Sequence, residues 1–156
     1  MSPINDRLST LGLTLPEAPA PVAAYVPAVR TGGLLFVSGQ LPFRDGALMA
    51  TGPVPDDTPV ALAQECARQC VLNGLAVVRA AVDDLDRVER VVRVGCFVAC
   101  GPGFADQPRV ANGASELLQE IFGDSGRHAR AAVGSVALPL NAPVEIEFLF
   151  KISTEP

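Results

Sequence analysis

The sequence predicts an α/β fold: a single mixed sheet with two helices on one face, in the order β-β-β-α-β-α-β-β. Three observations carry this. Two segments, ending near Val82 and Phe122, repeat apolar residues at helical spacing. The stretches around them are short, valine-rich runs that alternate or are apolar throughout, as strands do. No linker-like tract divides the 156 residues, so residues 1–156 read as one domain with residues 1–21 as an N-terminal arm.

Taken in order, residues 4–11 form a short helix stopped at Gly12. Residues 15–21 hold three prolines and run extended, because proline fixes φ and removes a donor. Residues 25–29 make a first strand, with Pro27 marking it as an edge. Thr31-Gly32-Gly33 turns into residues 34–38, a strand apolar on both sides. Arg44-Asp45-Gly46 is a second tight turn, and residues 47–51 return as a third strand. Thr58 caps the long helix and Pro59 opens it. Leu62, Cys66, Gln69, Cys70 and Val77 lie along its apolar face, and Asp83-Asp84 ends it. Val88–Ala99 alternates through Val92, Val94, Cys96 and Val98 as a strand. Residues 110–122 are the second helix, ended by Gly123, and strands follow at 129–137 and Val144–Ile152. Helices on one face leave the other face bare and apolar, which predicts a homo-oligomer.

Composition excludes several classes. Net charge is −5 and no basic face stands out, so nucleic acid is not an expected partner. No apolar run reaches the ~18 residues of a membrane span, and the N-terminus lacks the basic and apolar regions of a secretory signal. A cytoplasmic protein with no membrane partner is expected. The four cysteines, Cys66, Cys70, Cys96 and Cys100, then read as buried free thiols. Their spacing lacks the tight turn of a zinc ribbon, so no metal is expected.

The candidate chemistry lies mostly in the last thirty residues. Arg130 opens an apolar strand and reads either as a bidentate carboxylate clamp or as a strand-end arginine paired with Asp124 or solvent. Glu145 and Glu147 share one side of their strand, either on a solvated face or with one of them holding or activating water. In Ser38-Gly39-Gln40 the glycine lets a ligand approach the backbone, unless the segment is an ordinary strand exit. Tyr25, the single tyrosine, closes over a planar ligand or is an amphipathic edge residue. A hairpin about Leu140-Asn141 puts Arg130 and Glu145 on one face but roughly 20 Å apart. They meet over one small substrate only if another strand lies between them or a subunit boundary joins them. Gly123-Asp124-Ser125-Gly126 reads as a turn rather than a protease nucleophile loop, with His128 structural or at a pocket rim.

From Tyr25 to Ile152 these pieces, as an ordered set, resemble the RidA (YjgF) family. Tyr25-Val26, Phe36-Val37-Ser38-Gly39-Gln40-Leu41-Pro42, Asn112, Ala129-Arg130 and Val144-Glu145-Ile146-Glu147 carry the likeness. The resemblance implies a chorismate-mutase-like (ferredoxin-like) fold, a homotrimer and a pocket at each subunit cleft. It implies hydrolysis of reactive enamines and imines, such as 2-aminoacrylate, to 2-keto acids and ammonia without a cofactor. Arg130 would bind the substrate carboxylate and Glu145 would position or activate water. Tyr25, Ser38, Gly39, Asn112 and Ala132 would line the pocket; if position 132 acts through its backbone carbonyl the missing sulfur matters little, and if a thiol shapes the pocket the substrate range changes. Two positions depart from the family's habit: His128 stands where proline is frequent, and Ala132 where cysteine is frequent. Those departures keep a second expectation open, a non-catalytic trimer that binds or senses keto acids. A mutase rests on the implied fold alone, and ribonuclease activity runs against the acidic charge.

Overall fold

The computed structural model describes residues 2–20 and 24–154. Its elements are α1 (Pro3–Thr10), β1 (Ala28–Thr31), β2 (Leu34–Gln40), β3 (Phe43–Arg44), β4 (Ala47–Leu48), α2 (Val60–Val82), β5 (Val88–Ala99), α3 (Gln107–Phe122), β6 (Ala129–Ser135) and β7 (Val144–Ile152). Five strands form one sheet in the order β1-β2-β7-β5-β6, and β3-β4 stands apart as a two-stranded hairpin. β5 pairs antiparallel with β7 and parallel with β6, so the sheet is mixed.

The strand patterns explain which face is covered. Val144, Ile146, Phe148, Phe150 and Ile152 alternate inward along β7 and are buried. Val94, Cys96 and Val98 of β5 and Leu35 and Val37 of β2 point the same way. The buried faces of α2 and α3 cover them, and Phe148 stacks on Phe150 with centroids 5.9 Å apart. The opposite face carries Phe36, Phe97, Leu149 and Val133, all at least partly exposed. It is not wholly apolar: Arg93 pairs with Glu147 at 3.0 Å, and Lys151 with Glu89 at 2.7 Å.

Four expectations are corrected. The first strand begins at Ala28, not at residue 25, and Tyr25 sits in a bend. Pro27 has no N–H for the ladder, though its carbonyl still accepts from the Ser38 N–H at 2.9 Å. The third strand is only the short return of the β3-β4 hairpin, turned at Asp45 and Gly46, both at positive φ. It cannot enter the main sheet, since β1 and β7 occupy both edges of β2. Thr58 does not cap α2: its buried hydroxyl donates to the Thr51 and Gly52 carbonyls, at 3.3 and 3.0 Å. β6 ends at Ser135, and residues 136–138 leave the sheet.

The arm folds back on the body. Ser2 accepts from the Asn5 N–H at 3.3 Å, capping α1. Arg7 donates to the Glu120 carbonyl at 2.7 Å, which docks α1 on the end of α3. Leu15 is buried, and the Pro16 carbonyl accepts from Arg79 of α2 at 3.3 Å. Pro21, the last arm residue, lies outside the described residues.

Gly113 sets the spacing of α2 and α3, because a Cβ there would collide with the Gln64 backbone carbonyl. Alanine gains about 1 kcal/mol of helix propensity, but overpacking against a backbone that cannot yield costs about 1–3 kcal/mol. Gly113→Ala is therefore expected to destabilise the protein, read as a lower urea midpoint. An unchanged or raised midpoint contradicts this packing.

Candidate functional site

The strand registers separate the predicted site residues into two groups. Arg130 of β6 lies beside Val94 of β5, so it projects on the helix-covered side. Glu145 of β7 lies beside Phe97 of β5, three positions on, so it projects on the bare side. Side chains alternate along a strand, and Arg130 and Glu145 therefore occupy opposite faces. The expectation of a shared face fails because β6 and β7 do not pair as a hairpin; β5 runs between them.

The first group surrounds Arg130. Its Nη1 donates to Asn112 Oδ1 at 2.8 Å and to Ser115 Oγ at 3.1 Å, both on α3. Ser115 Oγ lies 2.9 Å from His128 Nε2, and His128 Nδ1 lies 2.6 Å from the Gly126 carbonyl. A carbonyl only accepts, so Nδ1 carries the proton and Nε2 accepts from the Ser115 hydroxyl. That hydroxyl orientation turns an oxygen lone pair toward Arg130. The chain Gly126–His128–Ser115–Arg130 thus fixes one edge of the guanidinium. The Nε and Nη2 edge has no partner among the described residues and keeps the fork that grips a carboxylate. Asp124 pairs with Arg127 at 3.7 Å, not with Arg130. Ala132 follows on the same side, half-buried beside Cys96.

The second group gathers where β2 ends. The register of β2 on β7 shifts between Val37 and Gln40, and Gly39 sits in that irregularity. A Cβ at Gly39 would collide with the Glu145 carboxylate, so glycine is what lets the carboxylate lie against the β2 backbone. Glu145 is half-buried. Its pKa is pushed above the usual carboxylate range, first by desolvation and then by repulsion from Glu147. Ser38 Oγ donates to the Val26 carbonyl at 2.8 Å. Ser38, Gly39 and Tyr25 line a cavity of about 830 Å³, and Tyr25 is 63% exposed.

Three strand spacings separate Arg130 on β6 from Gly39 on β2, roughly 14 Å. The structure brings Arg130, Asn112 and Ala132 together, and separately Tyr25, Ser38, Gly39 and Glu145. Ser115 was not legible as a site residue, for nothing local ties it to His128 thirteen positions on. Gln69 and Asn73, which also line the cavity, had a signal: amides on the buried face of an apolar helix.

The four cysteines are buried free thiols. Burial pushes Cys66 up to about 11, with Glu65 adding to the rise. Cys96 is pushed up to about 12 by burial, against a lowering influence from Arg130. Neither is a reactive thiolate near neutral pH. Among the described residues no group of His, Cys, Asp and Glu is placed to hold a metal ion, and no helix is long and apolar enough to cross a membrane.

The family described as "YjgF/chorismate_mutase-like, putative endoribonuclease" matches residues 5–152. The chain belongs to this family. It is 45% identical over 151 residues to a Trypanosoma cruzi protein called TCP17, covering 96% of this chain and 94% of that one. It is 33% identical over 141 residues to a 2-iminobutanoate/2-iminopropanoate deaminase of Dermatophagoides farinae, covering 90% of this chain and 94% of that one. The crystal structure of protein Atu1372 of Agrobacterium tumefaciens, of unknown function, superposes with a TM-score of 0.90 at 48% identity. That match covers 97% of this chain and 93% of the other. YjgF-family membership and the chorismate-mutase-like fold both follow.

The His128 network has a testable electrostatic consequence. Burial lowers the pKa of His128 below the ordinary imidazole value of 6.5; the bond to Gly126 opposes this, and the Arg130 charge adds to it. The unfolded chain therefore binds this proton more readily, and the His128 contribution to stability rises with pH up to about 6.5 and is flat above. Below 6.5 the wild type is expected to lose stability relative to His128→Gln, measured as the difference between their urea midpoints across pH. A difference that grows above pH 7 instead contradicts the neutral, Ser115-bonded imidazole.

Proposed function

We propose that this chain hydrolyses small 2-imino acids, or the enamines in equilibrium with them, to 2-oxo acids and ammonia, as a homotrimer. The observation that supports it best is the split of the two groups. The open guanidinium edge of Arg130 and the Glu145 carboxylate, which Gly39 seats, cannot reach one small substrate within a protomer. A site closed by Arg130 of one protomer and Tyr25, Ser38, Gly39 and Glu145 of the next resolves that. Val133 of β6 and Val136 just beyond it, 47% and 97% exposed, give such a contact an apolar surface. A 2-iminobutanoate/2-iminopropanoate deaminase among the relatives supports the same chemistry.

In this reading Arg130 grips the substrate carboxylate with its Nε and Nη2 edge. Glu145, ionised, takes a proton from water as the oxygen adds to the carbon of the protonated imine and the C=N electron pair moves to nitrogen. The carbinolamine then collapses: Glu145 returns its proton to the nitrogen, the C–N bond breaks as the hydroxyl oxygen forms the carbonyl, and the hydroxyl proton leaves with ammonia as ammonium. The raised pKa of Glu145 makes it a stronger base than an exposed glutamate. The net charge of −5 weighs against RNA as a substrate.

Arg130→Ala is expected to lower kcat/KM for an imino acid generated in situ by an amino-acid oxidase. The loss is about 2–5 kcal/mol if the clamp is desolvated between protomers. Equal acceleration by wild type and variant defeats the proposal. Sedimentation should give a particle of three chains, and a stable monomer would sink the shared site.

The acid limb of the pH–rate profile tests Glu145. Glu147→Gln removes the repelling charge and frees Arg93 from its pair with Glu147. Both changes favour an ionised Glu145, so the limb is expected to move to lower pH. Movement to higher pH assigns the base elsewhere.

A further inference from the structure

We propose that the cavity beside Ser38 and Gly39 is a side-chain subsite for 2-imino or 2-oxo acids whose bulky apolar side chain ends in a hydrogen-bond donor. This rests on the reaction class proposed above and names the substrates within it.

The first ground is size and build. The cavity holds about 830 Å³, room for roughly 28 waters at ~30 Å³ each. A three-carbon imino acid fills a small corner of that. Leu41, Phe43 and Leu140 give it apolar walls, and the arm segment from Leu15 to Pro19 forms a further wall. The arm is held there by the burial of Leu15 and by the bond from Arg79 to the Pro16 carbonyl. That wall is therefore part of the fold.

The second ground is a pair of hydrogen-bond acceptors at the cavity that the protein leaves without donors. Asn73 Nδ2 donates to the Leu41 and Phe43 carbonyls, each at 3.0 Å, which fixes the amide and leaves Oδ1 as an acceptor. Gln69 must then present Nε2 to Asn73 Oδ1, as it does at 2.9 Å. Gln40 likewise turns Nε2 to the Ser38 carbonyl at 2.9 Å. The carbonyl oxygens of Gln69 and Gln40 receive no donor from the protein; both residues line the cavity, and neither oxygen is sealed from solvent. A bulky side chain that fills the cavity displaces their water, and an acceptor then left without a donor is costly. A phenol, indole N–H or similar group at the end of an apolar side chain satisfies them, whereas a purely hydrocarbon side chain leaves them unpaired. Sites built this way discriminate strongly against the analogue that lacks the donor.

The experiment uses two oxo acids that differ by one hydroxyl. Calorimetric titration of the full chain with 4-hydroxyphenylpyruvate and with phenylpyruvate is expected to give about tenfold tighter binding of the hydroxylated acid. Gln69→Leu is expected to bring the ratio within about twofold, and Gln40→Leu to reduce it independently. Equal affinities in the wild type, tighter binding of phenylpyruvate, or binding of neither overturns the inference. Persistence of the full preference in both variants overturns the assignment of the two amides. Preserved oxo-acid preference with no hydrolysis of the imines of tyrosine and phenylalanine overturns the enzymatic reading and leaves the subsite standing.

Discussion

The alternation of side chains along β5 governs the molecule. This strand holds β6 on one side and β7 on the other, and from Arg93 onward successive residues look to opposite faces. Val94, Cys96 and Val98 point into the core under the helices, and Gly95 and Phe97 point away from it. Whatever is registered beside the first set joins the helix side, and whatever is beside the second joins the open side. Arg130 and Glu145 fall on different sides for that reason alone. A one-residue slip of β6 would bring Arg130 to the open face, but it would also turn Ala132 out of its contact with the core.

Two kinds of charge management follow. Arg130 is exposed, yet one edge is held by a serine whose hydroxyl is in turn oriented by a neutral histidine. Its direction is set without any acidic partner that would compete with an anion. Glu145 is treated in the opposite way: packed on a glycine, half-buried and next to another carboxylate, it is kept uneasy in its ionised form.

Much of this was legible in the residues. Val88–Ala99 and Val144–Ile152 are observed with the boundaries read from alternation; the period of two is clean in the second, whereas register shifts between Val88 and Arg90 and between Val91 and Arg93 break it in the first, so Val91 rather than Val92 is buried. The helices were legible for the same reason at the helical period, although α3 begins three residues earlier, at Gln107. The failures share a cause: they depend on partners distant in sequence. A strand pattern cannot tell that β6 pairs parallel with β5 rather than folding back on β7. Thr58 looks like a cap until the Thr51 and Gly52 carbonyls arrive beside its hydroxyl. Ser115 is silent until a loop brings His128 over it.

The outer border of β6 has a further consequence. Among the described residues no strand pairs with that side, and the segment from Ala129 to Ser135 contains neither lysine nor proline to discourage a newcomer. Its backbone amides and carbonyls form a template for strand addition. A protomer that leaves this edge unpaired is thus prone to disordered association. Variants that expose more of it would be lost as precipitate before their dilute form could be studied.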